Sequence, residues 1–218
     1  MIEQAGEALV GATTAVEGLG APFQVWVIPA LLGLGLAAST GLRTFLPLLM
    51  LALAARFGWF GVELNEQMQW LHSDAAVAAL GVAAAVEFTA DKIPVVDNAL
   101  SGIGLVVRPL AAALAAGSLF VGVDPLLAAV AGIIVGAPTA LAFNAAQGGL
   151  RLASTATTGG LGNPVVSLFE DVLAFLTALL ALLALLVPVL VPVVLVILAV
   201  VVFRIARRLR RSPVRQSA

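Results

Sequence analysis

The first apolar block of the chain reads FQVWVIPALLGLGLAASTGLRTFLPLLMLALAARFGWF over residues 23–60. A membrane-spanning helix needs about 20 mainly apolar residues, so this block is too long for one span. Its centre carries the more polar sequence Ser39-Thr40-Gly41-Leu42-Arg43, and Trp26 and Trp59 lie near its two ends. Tryptophan favours the membrane–water interface, so both ends are expected at one surface. The block therefore predicts two short helices that form a hairpin, with Arg43 at the turn.

The composition of the whole chain also indicates a membrane protein. Of its 218 residues, 61% are hydrophobic and 11% are charged, with a net charge of −1, and its mean hydropathy is +1.12. Soluble domains are about half apolar and a quarter charged, so an ordinary soluble enzyme and a disordered chain are excluded. The net charge argues against nucleic-acid binding. The chain has no cysteine, which excludes disulfides and thiolate metal sites, and we predict no cofactor.

Further apolar segments predict about seven membrane spans, with six or eight as alternatives. After the first hairpin we expect spans at 75–90, 99–121 and 126–146, and two crossings within 164–203, where Pro188 and Pro192 interrupt the run. Residues 147–163 are rich in Gly, Ser and Thr and are too polar to face lipid. The predicted fold is all-α: a polytopic transmembrane helical bundle with broken or re-entrant helices.

The pattern divides the chain into three regions. Residues 1–22 are predicted to form an amphipathic helix or a frayed segment, residues 23–203 a single transmembrane domain, and residues 204–218 a basic tail. The tail is rich in arginine, so the positive-inside rule places the C-terminus in the cytoplasm. Counting back seven spans then places the N-terminus outside.

A short repeat suggests two related halves of the transmembrane domain. AASTGLR at 37–43 is similar to AAQGGLR at 145–151, and each copy is later followed by Pro-Val-Val, at 94–96 and 164–166. Duplicated halves that meet at a central site are common in transporters. The halves would be 23–121 and 122–203, arranged in parallel or inverted. Coincidence is the alternative, because Ala, Gly and Leu dominate the chain.

Nine ionisable residues lie within or beside the predicted spans. At the bilayer centre each would cost on the order of 3 kcal/mol, so nine in lipid would exceed a domain's net stability of about 5–15 kcal/mol. We therefore expect them to face one another, a hydrated cavity or the cytoplasmic surface. They are Glu87, Asp91, Asp97, Glu170, Asp171, Arg43, Lys92, Arg108 and Arg151.

Two of these carboxylates, Glu87 and Asp91, are four residues apart and would share one helix face. Their repulsion requires a proton, a bound cation, or a basic neighbour such as Lys92 or Arg108. The first two outcomes indicate function and the third is structural, and the sequence leaves them open. Alternatively, Asp91 and Lys92 end the helix at the surface, because the residue before a proline avoids helical geometry.

The polar stretch at 154–164 predicts a helix start next to a ligand site. Asn163 is a favourable N-cap residue, and the proline after it suits the first helical turn. Free N–H groups at such a start suit an anion, whereas carbonyls and the hydroxyls of Thr157 and Thr158 suit a cation. An ordinary Gly/Thr loop is the alternative. Glu170, two turns into the helix, is the best candidate for a titrating or ion-binding group.

The chain resembles a family of small bacterial multi-pass membrane proteins that is catalogued as domain of unknown function number 4126. The similarity covers about residues 28–205, and it is carried by GLRTFLP at 41–47, Glu87 with IPVVDN at 93–98, and STATTGGLGNP at 154–164 with Glu170. It implies a helical protein of the bacterial cytoplasmic (inner) membrane and no known activity. The residues that fall on the family pattern are Arg43, Glu87, Asp97, Asn98, Asn163 and Glu170. Those that cannot be placed on it are Asp91, Lys92, Arg108 and Asp171.

Our first functional hypothesis is a transporter or channel for a small cation, or one coupled to protons, because acids buried in a membrane commonly relay protons. Three carboxylates would line its site, assisted by amide and hydroxyl ligands and by basic counter-charges. The carboxylates are Glu87, Asp97 and Glu170. The further ligands are Asn98, Asn163, Thr157 and Thr158, and the counter-charges are Arg43, Arg108, Arg151 and Lys92.

Two alternatives remain open. One is a flippase or scramblase for lipids or polyprenyl phosphates, with the phosphate held by Arg43, Arg151, Lys92 and the helix start at Asn163. The other is a non-catalytic membrane assembly protein whose charges are all paired. No catalytic motif is present, so we do not expect an enzyme, although intramembrane acid–base chemistry stays open. Expected partners are the lipid bilayer and a small ion or lipid headgroup; small residues would also permit a homo-oligomer.

Overall fold

The computed structural model describes residues 22–91 and 94–186, together with residues 197, 200, 203, 204 and 207; for residues 94–101 it describes the backbone only. Within these ranges the structure is helical, as predicted. Six α-helices follow one another: α1 (Ile28–Leu42), α2 (Phe45–Phe57), α3 (Asp74–Ala90), α4 (Pro94–Gly117), α5 (Pro125–Thr158) and α6 (Asn163–Ala184). A π-helical turn, Phe23–Val27, precedes α1, and the 3-10 helices Trp59–Gly61 and Glu66–His72 lie between α2 and α3.

The first apolar block forms the predicted hairpin. α1 ends at Arg43, whose backbone is extended (φ −136°, ψ 120°). Trp26 packs on Phe120 with ring centroids 5.8 Å apart, and Asn65, in the loop after α2, donates a hydrogen bond to the Gly117 carbonyl at 2.9 Å. Both ends of the block therefore lie near the C-terminal end of α4, with Arg43 at the opposite end. We refer to these as the Trp26 end and the Arg43 end.

The later helices also alternate in direction between the two ends. α3 ends at Asp91, which forms an ion pair with Arg43. α4 returns to the Trp26 end, where Phe120 follows it. α5 brings Arg151 within 3.3 Å of Asp91, and α6 runs back from there. Helices α1, α3 and α5 therefore all run toward the Arg43 end of the bundle.

Three helical segments are long and apolar enough to cross a membrane, namely Phe23–Leu42, Pro125–Thr158 and Asn163–Ala184. The helices Glu66–His72 and α3, bent by 64° relative to each other, together form a fourth candidate that is a broken or re-entrant span. Phe45–Phe57 and Gly102–Gly117 are shorter apolar helices. These apolar helices are consistent with an integral membrane protein, but they do not establish seven spans.

Several predicted regions lie outside the described residues. They are the N-terminal segment up to residue 21, nearly all of the basic tail, and Pro188 and Pro192 in the last apolar run.

The predicted end of a span at residue 146 is wrong, because α5 continues to Thr158. Only the turn between α5 and α6 is irregular. Gly159 and Gly160 there have positive φ angles of 64° and 90°, which glycine adopts without steric strain. The helix continues because Gln147 and Arg151 find partners inside the bundle, as described below, and the hydroxyls of Thr157 and Thr158 bond to carbonyls of α5 itself.

α5 packs against α1 and α4 through a stripe of small residues. The buried members of this stripe are Ala128, Gly132, Gly136 and Ala140. A Cβ atom on Gly132 would overlap the carbonyl oxygen of Ala113, and one on Gly136 would overlap that of Ala112. Only glycine permits such close approach of two helix backbones. The stripe fixes α5 beside α1, which is the central helix and contacts α2, α4, α5 and α6.

Candidate functional site

A buried cluster of charged and polar side chains lies toward the Arg43 end of the bundle. We call it the charged cluster; its members are Arg43, Asp91, Arg108, Gln147, Arg151, Glu170 and Asp171. About 10 Å of α6 precedes Glu170, and about 21 Å lies between it and Ala184, at 1.5 Å per residue. Glu170 and its partners therefore lie part-way along a helix that is long and apolar enough to cross a membrane.

Arg43 connects α3 with α6. Its guanidinium forms ion pairs with Asp91 and with Asp171, where Nε lies 2.5 Å from Oδ1. Its Nη2 donates to the Ser167 hydroxyl at 2.9 Å and to the Ser167 carbonyl at 3.2 Å. The side chain is only 2% exposed. A buried guanidinium is tolerated when it is paired, and here Asp91 and Asp171 supply ion-pair contacts while Ser167 accepts hydrogen bonds from Nη2.

Arg151 connects α5 with α6 and with the end of α3. Its Nη2 lies 2.7 Å from Oε2 of Glu170 and 3.3 Å from Oδ2 of Asp91. Gln147 donates to the same Glu170 oxygen at 2.7 Å. Asp91 therefore lies between Arg43 and Arg151, the two arginines that end the repeated heptapeptides. This pairing offsets the cost of burying Glu170 and Asp91, whose side chains are 2% and 4% exposed.

Glu87 has a different set of partners from the rest of the acids. Its Oε1 accepts a hydrogen bond from the Thr44 backbone N–H at 2.7 Å, and its Oε2 accepts one from the Phe45 N–H at 3.0 Å. These N–H groups belong to the start of α2, where a helix has no internal acceptors. A carboxylate is stabilised there by the hydrogen bonds and by the helix dipole. Glu87 thus caps α2 from α3, while Asp91 pairs with arginine.

Arg108 is held by neutral acceptors. Its Nη1 donates to the Gly41 carbonyl at 3.0 Å, to Oδ1 of Asn144 at 2.6 Å, and to Oε1 of Gln147. Its Nε is buried without a hydrogen-bond partner. Among the residues that the structure describes, no carboxylate lies within ion-pair distance of this guanidinium. Arg108 is therefore oriented by its neighbours without being neutralised by a direct ion pair.

A cavity of about 640 Å³ opens sideways between α3 and α4 and ends at the cluster. Its walls are formed mainly by alanine and valine, and Val82 and Val86 are exposed along it. On α3 the lining extends from Ala78 to Asp91, which is about 20 Å of helix. Glu87 and Arg108 lie at its polar end. We call this cavity the α3–α4 groove; it combines an apolar wall with a charged end.

The predicted ligands of the α5–α6 turn lie apart from the charged cluster. The N-cap of α6 is Gly162, and the predicted capping role of Asn163 is wrong: its Nδ2 donates instead to the Thr155 hydroxyl at 3.1 Å. Thr157 and Thr158 are exposed, and their hydroxyls donate to carbonyls one turn earlier at 2.8 and 2.7 Å. This follows from the continuation of α5, since a threonine in a helix finds its nearest acceptor one turn back.

Three predicted site residues lack a described side chain. Lys92 lies outside the described residues altogether. Asp97 and Asn98 lie on the first turns of α4, and their side chains are outside the described part of the structure. Their roles stay predictions.

The structure adds polar residues that the sequence analysis did not select. Asn144 and Gln147 lie seven and four residues before Arg151, so they share one face of α5 with it. Their spacing is a usable signal only if the helix is known to continue past residue 146. Ser167, three residues before Glu170, shares a face of α6 with it and receives Arg43. Within the described ranges, no group of three or more His, Asp or Glu side chains is placed to hold a metal ion.

Comparison with known proteins gives one match. The model of a family described as Domain of unknown function (DUF4126) matches residues 30–208. No curated protein and no solved structure matches the chain.

Proposed function

The chain belongs to the DUF4126 family, whose description assigns no activity, and we propose that it binds lipid-type amphiphiles in the α3–α4 groove and moves them within the membrane, as a flippase or scramblase. The observation that carries this proposal is the sideways groove itself, whose apolar walls lead to buried charges. An ion needs no apolar wall, whereas a lipid needs one for its tail and a polar site for its head.

The length of the groove supports movement as well as binding. Its lining along α3 covers about 20 Å of a hydrocarbon core about 30 Å thick. Because it is open to the side, a lipid can enter from the bilayer and keep its tail in an apolar environment. The polar headgroup would then move toward Glu87 and Arg108, which reduces the cost of its passage through the apolar core.

The test is a lipid-translocation assay in vesicles that contain the purified protein. A phospholipid labelled on its headgroup is reduced from outside, and the rate at which inner-leaflet label becomes accessible is measured. We expect Ala83→Phe, which fills the groove, to weaken occupancy by about 1–3 kcal/mol, or about five- to 150-fold in rate. The matched control is Ala85→Phe on the exposed side of the same helix. Equal rates for both variants, or no translocation by the wild-type protein, would contradict the proposal.

A second candidate is cation- or proton-coupled transport through the buried acids. It is favoured by the charge balance of the described residues at this end, where four carboxylates accompany three guanidiniums. One surplus negative charge in a buried site attracts a proton or a cation. In proteoliposomes, Glu170→Gln should abolish ion or proton flux, and Glu63→Gln, at an exposed position of the Trp26 end, should leave it intact. Flux that survives Glu170→Gln rejects this carboxylate as the carrier.

A further inference from the structure

The three arginines of the charged cluster have different partners, and this difference identifies the one that is available to a ligand. Arg43 and Arg151 both contact carboxylates. Among the residues that the structure describes, Arg108 donates through Nη1 to a carbonyl and two side-chain amides, and its buried Nε has no hydrogen-bond partner. With 7% of its surface exposed, Arg108 is a buried cation that is positioned and not directly paired.

Arg108 lines the α3–α4 groove, and its buried Nε packs against Gly104 there. Gly104 lines the groove one turn before Arg108, and a Cβ atom on Gly104 would come within 3.2 Å of this Nε. The two acids that also line the groove are already bound: Glu87 to backbone N–H groups and Asp91 to Arg43. An anion in the groove would therefore meet one guanidinium that has no ion pair with any carboxylate the structure describes.

We infer that Arg108 binds the phosphate group of an amphiphile whose tail lies in the α3–α4 groove. This inference rests on the proposed function and names its substrate class. A guanidinium binds phosphate oxygens through charge-assisted hydrogen bonds, which are about twice as strong as neutral ones. The apolar walls exclude water from this contact and strengthen it further. The glycine at position 104 lets the Arg108 side chain pack against its helix, because a Cβ there would lie 3.2 Å from Nε.

The inference is tested with two amphiphiles that differ only in the phosphate. They are 1-decanoylglycerol 3-phosphate and 1-decanoylglycerol, titrated against the detergent-purified full chain. Because the chain has no cysteine, Val82→Cys in the groove provides a single site for an environment-sensitive fluorophore. The phosphate compound should bind at least about tenfold more tightly, the factor expected for one charge-assisted hydrogen bond. Arg108→Gln should reduce this preference to about one without changing the affinity for 1-decanoylglycerol.

A second pair of variants keeps the arginine, so the inference can be tested even if Arg108→Gln does not fold. Gly104→Val crowds Nε and should also remove the preference for phosphate. Gly102→Val on the same helix meets nothing within 4 Å and should keep it.

The possible failures separate the two proposals. Equal binding of both amphiphiles to the wild-type protein overturns the phosphate site and leaves groove binding intact. Binding of neither overturns the proposed function as well. If inorganic phosphate alone binds as tightly as the phosphorylated amphiphile, the site recognises free phosphate, and the assignment to an amphiphile is overturned. A preference that persists in both Arg108→Gln and Gly104→Val assigns the phosphate to another residue and refutes the role of Arg108.

Discussion

Replacing Glu87 with glutamine tests whether this buried carboxylate is a helix cap or an ion carrier. In the structure both of its oxygens accept hydrogen bonds from the first N–H groups of α2, at 2.7 and 3.0 Å. Glutamine has nearly the same shape, but only one of its two terminal atoms is an acceptor. The variant therefore loses one hydrogen bond to a charged acceptor, places an NH₂ group against a backbone N–H, and loses the interaction with the helix dipole.

The expected cost follows from these losses. A hydrogen bond to a charged group contributes about 1.5–3 kcal/mol, and a partly buried charge at a helix terminus up to about 2 kcal/mol. Because the two contributions overlap, we expect Glu87→Gln to lower the free energy of unfolding by about 2–4 kcal/mol. The decrease should appear in equilibrium unfolding in mixed detergent micelles, followed by circular dichroism.

The control for this experiment is Glu63→Gln, the same chemical change at an exposed position of the Trp26 end, which should alter stability by less than about 0.5 kcal/mol. A Glu87→Gln protein as stable as the wild type refutes the capping role. If that stable variant also loses ion or proton flux, Glu87 acts as a carrier and not as a cap.

Three further predictions concern packing and ion pairs. Arg151→Gln and Glu170→Gln should each destabilise the protein by about 3–5 kcal/mol. In a double-mutant cycle the double variant should cost about 0.5–3 kcal/mol less than the sum of the two single variants. Strict additivity would contradict the pairing. Gly136→Val forces α5 away from α4 and should lower stability by at least about 1–3 kcal/mol, whereas Gly148→Val meets nothing within 4 Å and should be neutral in the same unfolding assay. Arg56→Gln breaks an ion pair with a carboxylate that is 88% exposed, so it should change the unfolding free energy by less than about 1 kcal/mol; a larger effect would show that the pair is not solvated.

The buried cluster illustrates which parts of the site are readable from the sequence. The cost of ionised groups in an apolar medium identifies Arg43, Asp91, Arg151 and Glu170 as residues that must find partners. It does not say which partners. Glu87 and Asp91 share a helix face, yet one caps α2 and the other pairs with arginine. That choice depends on where the N-terminus of α2 lies relative to α3, which is a property of helix packing.

The site also contains residues that the sequence analysis did not identify. Asn144 and Gln147 orient Arg108, but in the sequence Asn144 lies near the end of the span predicted at 126–146 and Gln147 just beyond it. Their helical spacing became visible only when α5 was found to continue to Thr158. The same continuation explains why Thr157 and Thr158 bond to their own helix.

The amino-acid sequence by itself predicted a membrane environment, an all-helical fold and the first helical hairpin. Each depends on local quantities: the length of an apolar run, its interruption at Arg43, and the shortage of charge. Only the tertiary structure decided that Asp91 lies between two arginines, that Arg108 has no carboxylate partner among the described residues, and that α3 and α4 leave a groove between them. The physical reason is the distance over which each interaction acts. Hydrophobic transfer is summed along the chain, whereas a hydrogen bond or an ion pair extends over a few ångströms between residues that may be more than a hundred positions apart, such as Arg43 and Ser167.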